Sequence, residues 1–272
     1  GSCRFANGLI QCYSGTMSRI AASRRVTRIR VGGTTTSRAD FLSVEEPLEI
    51  RVEGQPLAVT MRTPGNDVEL AHGFLVSEAI IHHREHVLTA RYCAGAVRGG
   101  DELGDELSAA EHGNTYNILD VALAPGVEPP SAEQARAFVS TSSCGLCGKA
   151  SIDQVRTEAE FEVACDPLVV GAKLLASFPE VLRRGQAAFD RTGGLHAAAL
   201  FDGNTGELLV LREDIGRHNA VDKVIGWALM QGLLPARSCV LIVSSRASFE
   251  ITQKSIMAGI PMLAAVSAAS SL

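Results

Sequence analysis

Nothing in this 272-residue chain approaches the roughly 18 consecutive apolar residues that a membrane-spanning helix needs. The apolar stretch after Ile256 is broken by Gly259, Pro261 and several serines, and reads as buried core. Positive charge is also in short supply: 25 Lys and Arg stand against 30 Asp and Glu, a formal net charge of −5, so no general field exists to hold a nucleic acid backbone. Cysteine is sparse. Of seven, Cys3 and Cys12 precede Met17, and Cys93, Cys144, Cys147, Cys165 and Cys239 are too scattered for a disulfide framework, which points to a reducing compartment, the cytoplasm. Residues 1–16 begin Gly-Ser and lack the charged start and apolar run of a secretory signal; they read as a remnant or an upstream extension. Internal repeats, the P-loop and the dinucleotide-binding fingerprint are missing as well.

What is present is an ordinary globular composition, 46% hydrophobic and 20% charged. Arg19, Arg24, Arg25, Arg28 and Arg30 form the one basic stretch, read as a solvated N-terminal arm, with residues 1–26 an unstructured extension. Alternation over residues 48–52 and 57–62 around Gly54-Gln55-Pro56 predicts a hairpin. Asp67 is placed to cap a following helix with Leu70, Ala71, Phe74 and Leu75 on its apolar face and Glu69 and His72 together on another. Residues 95–113, rich in Gly, Asp and Glu, read as a mobile excursion, residues 117–123 as a strand and residues 132–138 as a short polar helix.

Beyond residue 150 helices at 167–184, 219–231 and 249–258 interleave with strands at 196–201, 208–212, 239–243 and 262–266, the pattern of an α/β core of three layers. The expected organisation is a β-rich N-terminal lobe over 27–139, a cysteine loop over 140–150 and an α/β core over 151–272. Cys165 and Cys239 have apolar neighbours and are expected to be buried. His82, His83 and His86 lie on a polar stretch and are expected on a solvated face.

Chemistry concentrates in Ser142-Ser143-Cys144-Gly145-Leu146-Cys147-Gly148-Lys149, where small neighbours leave two thiols accessible and Lys149 favours the thiolate. Three readings compete for the pair. Zinc would need two further ligands, found only among His196, His218 and Cys165, and no structural metal is expected. A thioredoxin-type pair belongs near the start of a βαβ unit, whereas this one lies mid-chain. A sulfur relay, one thiolate taking a sulfane sulfur as a persulfide and the other assisting its transfer or release, needs only flexible, accessible cysteines.

Downstream, three polar clusters interrupt apolar segments: Arg191-Thr192-Gly193-Gly194-Leu195-His196, Asp214-Ile215-Gly216-Arg217-His218-Asn219 and Ser244-Ser245-Arg246-Ala247-Ser248. Each sits where a strand ends or a helix begins. Glycine turns and helix N-termini offer backbone N–H groups to an anion, and Arg217 and Arg246 suit bidentate phosphate contacts, so together they predict an anionic ligand.

These motifs in this order, with Arg212-Glu213 leading into the second, Ser245-Arg246-Ala247-Ser248-Phe249-Glu250 closing the set, and an early Glu69-Leu70-Ala71-His72-Gly73-Phe74-Leu75-Val76-Ser77-Glu78, resemble the FdhD family of formate dehydrogenase accessory sulfurtransferases. The resemblance covers residues 27–272. It implies a cytidine deaminase-like α/β fold with a mixed sheet, usually a homodimer, without the deaminase zinc signature. It implies a persulfide on Cys144, with Cys147 as its partner, and sulfur taken from a cysteine desulfurase. The sulfur is delivered to the molybdenum or tungsten bis-molybdopterin guanine dinucleotide cofactor destined for formate dehydrogenase. Arg191, Thr192, Gly193, Gly194, His196, Asp214, Gly216, Arg217, His218, Asn219, Ser245, Arg246 and Ser248 would hold that cofactor, with a guanine nucleotide as a mimic; a chaperone that only holds it is the alternative. Ala79 stands where similar chains commonly have glycine and is expected to be tolerated. The chain ends at Leu272, where similar chains continue to a Gly-Phe-x-Arg-Gly-like segment expected to join cofactor binding.

Overall fold

The computed structural model describes residues 20–93, 116–131 and 159–271. The excursion at 95–113, the polar helix at 132–138 and the Cys144/Cys147 pair lie outside the described residues.

Strands β3 (Glu46–Val52) and β4 (Gln55–Arg62) form the expected hairpin. Its turn is Glu53-Gly54, both at positive φ, which matches the right-handed twist of the strands and puts Gln55 and Pro56 inside β4. Leu48, Ile50 and Val52 alternate inward, 3% exposed or less. Strands β5 (Val87–Tyr92) and β6 (Ile118–Leu123) complete a sheet of order β4-β3-β6-β5, parallel only between β3 and β6.

The second sheet is mixed, in the order β10-β9-β7-β8, with β7 (His196–Asp202), β8 (Leu208–Asp214), β9 (Cys239–Val243) and β10 (Met262–Ala265); only β9 and β10 are parallel. Successive β7 residues face opposite ways. Ala198 and Leu200 join a core shared with α1 (Asp67–Ser77), α4 (Arg217–Met230) and the first sheet, while Ala197, Ala199 and Phe201 pack on Phe178 and Leu182 of α2 (Ala172–Gly185). The protein is therefore α/β, as expected, with helices on both faces of its mixed sheet. The first sheet covers the far side of the α1/α4 layer, which α5 (Phe249–Met257) adjoins.

Helices α1 and α4 touch through reciprocal glycines. A Cβ on Gly73 would lie 1.8 Å from the Asp222 carbonyl oxygen, and one on Gly226 1.8 Å from that of Glu69, so neither position admits a side chain.

Four local expectations change. Asp67 does not cap α1 but begins it, because its carboxylate is taken by the buried Arg62 guanidinium at 2.8 and 3.1 Å. Residues 167–171 are extended: Asp166 accepts from Leu168 N–H and Ser238 N–H, tying the chain across the sheet before Gly171 admits α2. Cys165 is exposed in a 3₁₀ turn that joins neither apolar cluster, whereas Cys239 is buried and its thiol pushed up to about 11 by burial. Over its described residues, from Arg24 to Arg30, the basic stretch is solvated but is no free arm: β1 (Ala21–Ile29) pairs antiparallel with β2 (Thr35–Ser43) as a two-stranded ribbon. Among the described residues no helix is long and apolar enough to cross a membrane.

Candidate functional site

The sheet order brings the three polar clusters to one edge. His196 opens β7 opposite Asp214, the last residue of β8, and Ala198 lies opposite Val243, the last of β9. Ser244 then closes on β7 through its N–H to the Ala197 carbonyl and the Ala197 N–H to its Oγ, both 2.9 Å. The site thus stands beyond the carboxyl ends of β8, β9 and β10, where α/β sheets receive ligands.

The first cluster ends the short helix α3 (Ala187–Thr192). Glu213 of β8 caps it, accepting the Ala188 and Phe189 N–H groups at 2.9 and 2.8 Å. Burial nevertheless pushes this carboxyl up. Gly193 leaves the helix at φ 70°, a conformation that costs glycine little. The ribbon braces the same corner: Ser43 donates to Thr192 Oγ1 at 2.8 Å, and the Arg191 guanidinium lies 5.0 Å from the centre of the Phe41 ring.

The second cluster is the β8–α4 turn. Asp214 is fully buried and wholly engaged: Oδ1 accepts from Gly216 N–H (2.8 Å) and Asn219 (3.1 Å), and Oδ2 from Thr63 N–H (3.1 Å) and Lys223 (2.7 Å). Asn219 also donates to the Met61 carbonyl at 2.8 Å and accepts from Thr60 at 3.2 Å. Both side chains thus build the turn from beneath. A Cβ on Gly216 would come within 2.9 Å of Asn219 Nδ2, so glycine lets the turn close over that amide. Arg217, half-buried, heads α4, whose N-terminus has no side-chain cap. His218 faces inward, its Nε2 3.7 Å from Glu250 of α5. His196 is held below the usual imidazole value, first by burial and then by the Arg217 charge, with Asp214 pulling the other way.

In the third cluster Arg246 is exposed, Ser245 is buried with its hydroxyl on the Arg246 carbonyl at 3.3 Å, and Ser248 precedes α5. Ser248 Oγ is buried with no hydrogen-bond partner among the described residues. Two helix N-termini, two arginines and an orphaned hydroxyl fit an anion that also presents acceptors. Among the described residues no three His, Cys, Asp or Glu side chains are arranged to hold a metal ion.

The sequence reading did not single out Thr63 and Ser43, and placed Glu213 and Lys223 within the second motif without giving either a role of its own. Lys223 carried a signal, since Asp222-Lys223 is a charged pair in an otherwise apolar stretch of α4; the others gain their roles from partners far away in the chain. A cavity of about 540 Å³ lies at the opposite end of the sheet, lined by Glu160, Cys165, Asp166, Arg237 and Ser238, and shares nothing with these loops. His82 and His83 contact Glu160 at 3.0 and 3.4 Å beside it.

Fold and site define an α/β protein with three Gly-, Arg- and Ser-bearing loops gathered at the carboxyl ends of its strands. The model of the FdhD/NarQ family matches residues 43–272, and the chain belongs to that family. It is 55% identical over 256 residues to a Mycobacterium tuberculosis protein named Sulfur carrier protein FdhD, covering 94% of this chain and 89% of that one. A Streptomyces coelicolor protein of the same name is 54% identical over 257 residues, covering 94% and 86%. A solved Desulfotalea psychrophila structure, assigned as a formate dehydrogenase accessory protein, shares the fold with a TM-score of 0.68 at 20% identity, over 93% of this chain and 86% of that one.

Proposed function

We propose that this protein is a cytoplasmic sulfur carrier serving a formate dehydrogenase, and that its anion-receptive edge holds the cofactor receiving the sulfur. The observation that carries the reading is the convergence of three Gly-, Arg- and Ser-bearing loops on one sheet edge, in a chain whose relatives are named sulfur carrier proteins. The Cys144 thiolate attacks the outer sulfur of a cysteine desulfurase persulfide; a Cys144 persulfide forms and the desulfurase thiolate leaves. Attack by the Cys147 thiol on Cys144 Sγ then releases hydrosulfide, and the two cysteines, joined as a disulfide, supply its two electrons. The recipient is the molybdenum or tungsten bis-molybdopterin guanine dinucleotide, bound as substrate. Arg217 and Arg246 meet its phosphates, the Gly193-Gly194 and Gly216 turns admit it closely, and Ser245 and Ser248 lie within the same loops. Arg191, Thr192, His196, Asp214, His218 and Asn219 shape the edge, and the working unit is a homodimer.

Two measurements test the halves of the proposal separately. Incubation with a cysteine desulfurase and cysteine is expected to raise the intact mass by one sulfur, roughly 32 Da, in the wild type and not in Cys144→Ala. No gain in either, with an active desulfurase, would move the reading to a cofactor-holding chaperone. Titration with GDP is expected to show affinity reduced about ten- to a hundredfold in Arg217→Ala, the loss of one charge-assisted contact.

A further inference from the structure

We infer that Thr63, in the N-terminal half of the chain, is a positioning residue for the anion site: it sets the β8–α4 turn without touching the ligand. The inference rests on the reading of this edge as an anion site. Thr63 is 2% exposed and makes three bonds to the turn and its supports. Its Oγ1 accepts the Ile215 N–H at 3.1 Å, its N–H donates to Asp214 Oδ2 at 3.1 Å, and its carbonyl accepts Lys223 Nζ at 2.9 Å. Lys223 in turn pairs with Asp214 at 2.7 Å, so β4, β8 and α4 meet at one buried joint.

The joint has a fixed base. Arg62, 1% exposed, forks onto Asp67 of α1 and reaches Glu46 of β3 at 3.3 Å, while the Tyr92 hydroxyl of β5 donates to Asp67 at 2.8 Å. The end of β4 is thus locked to three other elements of the N-terminal half. From there a single hydroxyl reaches across 152 residues of sequence to the amide of Ile215, which adjoins Gly216 and stands two residues before Arg217. With the Gly216 N–H itself held by Asp214 Oδ1, the pitch of this turn sets the direction of the N-terminus of α4, which begins at Arg217 and is the part that faces an anion. A backbone turn binds well only if its N–H groups already point the right way, because the cost of ordering them is otherwise subtracted from affinity. Freed of the Thr63 hydroxyl, the Ile215 N–H would be left without its acceptor and the turn would lose the bond that fixes its pitch. One neutral hydrogen bond used in this way corresponds to about a tenfold change in affinity.

The experiment compares wild type, Thr63→Val and Thr63→Ser by calorimetric titration with GDP, alongside thermal denaturation and amide hydrogen exchange of the 214–218 segment. Valine keeps the shape and both main-chain bonds and removes only the hydroxyl. The expected result is GDP binding about tenfold weaker in Thr63→Val with faster exchange at Ile215, and both restored within about twofold in Thr63→Ser. Unchanged affinity in Thr63→Val overturns the positioning role while leaving the anion site standing, and so does equal weakening in Thr63→Ser. If wild type itself binds no GDP, the anion-site reading falls and the inference with it. Should Thr63→Val fail to fold, exchange in the wild type decides: an Ile215 amide as slow as its buried β8 neighbours supports the joint, and one as fast as free backbone overturns it.

Discussion

Ala79 shows how much one backbone angle can carry. It follows α1 at φ 58°, with its N–H on the Val76 carbonyl and the next N–H, that of Ile80, on the Leu75 carbonyl, the two bonds that close a helix on a left-handed residue. Glycine would fit there with less strain, because it has no Cβ to crowd the left-handed backbone. Alanine is accommodated because Ile80 still packs into the core. Ala79→Gly is expected to raise stability by about 0.5–1 kcal/mol in urea denaturation. A second residue-scale case is Asp222, fully buried, which accepts Lys254 through both oxygens at 2.7 and 2.8 Å and Ser77 at 2.8 Å. Burial pushes its carboxyl up even against that lysine. Lys254→Met should cost about 3–5 kcal/mol by leaving the carboxylate unpaired, and adding Asp222→Asn should recover part of the loss in the same assay.

At the scale of elements, the α1/α4 contact is set by Gly73 and Gly226, where an added methyl group meets backbone rather than a side chain that could turn away. Gly73→Ala or Gly226→Ala is therefore expected to destabilise by about 3 kcal/mol or more, read as a fall in thermal midpoint. Strands β3, β4, β7 and β9 were legible in the sequence because alternation or an unbroken apolar run states which faces are covered. Helix α4 was legible to within two residues. The ribbon was not: Arg24, Arg25 and Arg28 mask the pairing of β1, since a two-stranded element with little burial leaves no alternation to read. Cys165 misled for the opposite reason, as Val163 and Ala164 look like core but sit in a turn tied down by Asp166. The three site clusters were legible as composition. Their meeting on one edge depends on the order β10-β9-β7-β8, and the part played by Thr63 on a partner 152 residues away, neither of which periodicity encodes.

For the whole molecule, His72 and His196 give a common acid-side signature. Burial holds both imidazoles below their ordinary value; in His72 this outweighs the Nδ1 bond to the Val68 carbonyl at 2.7 Å. At these two sites the unfolded chain therefore takes up protons first as pH falls through about 6.5, so their contribution to stability is constant above that value and declines below it until the folded-state values are passed. Urea midpoints measured from pH 7.5 to 5.5 check this, and His72→Gln should flatten the slope. One further consequence comes from the core that Leu70, Leu75 and Val76 of α1 share with Val221, Val224 and Ile225 of α4. As the chain leaves the ribosome, the apolar face of α1 waits for about 150 residues of synthesis before its cover arrives, because loop closure across that separation must precede the contact. Completion of the edge formed by the three loops is thus a late event in the life of each nascent chain, and until then the face of α1 that α4 covers stays open to solvent.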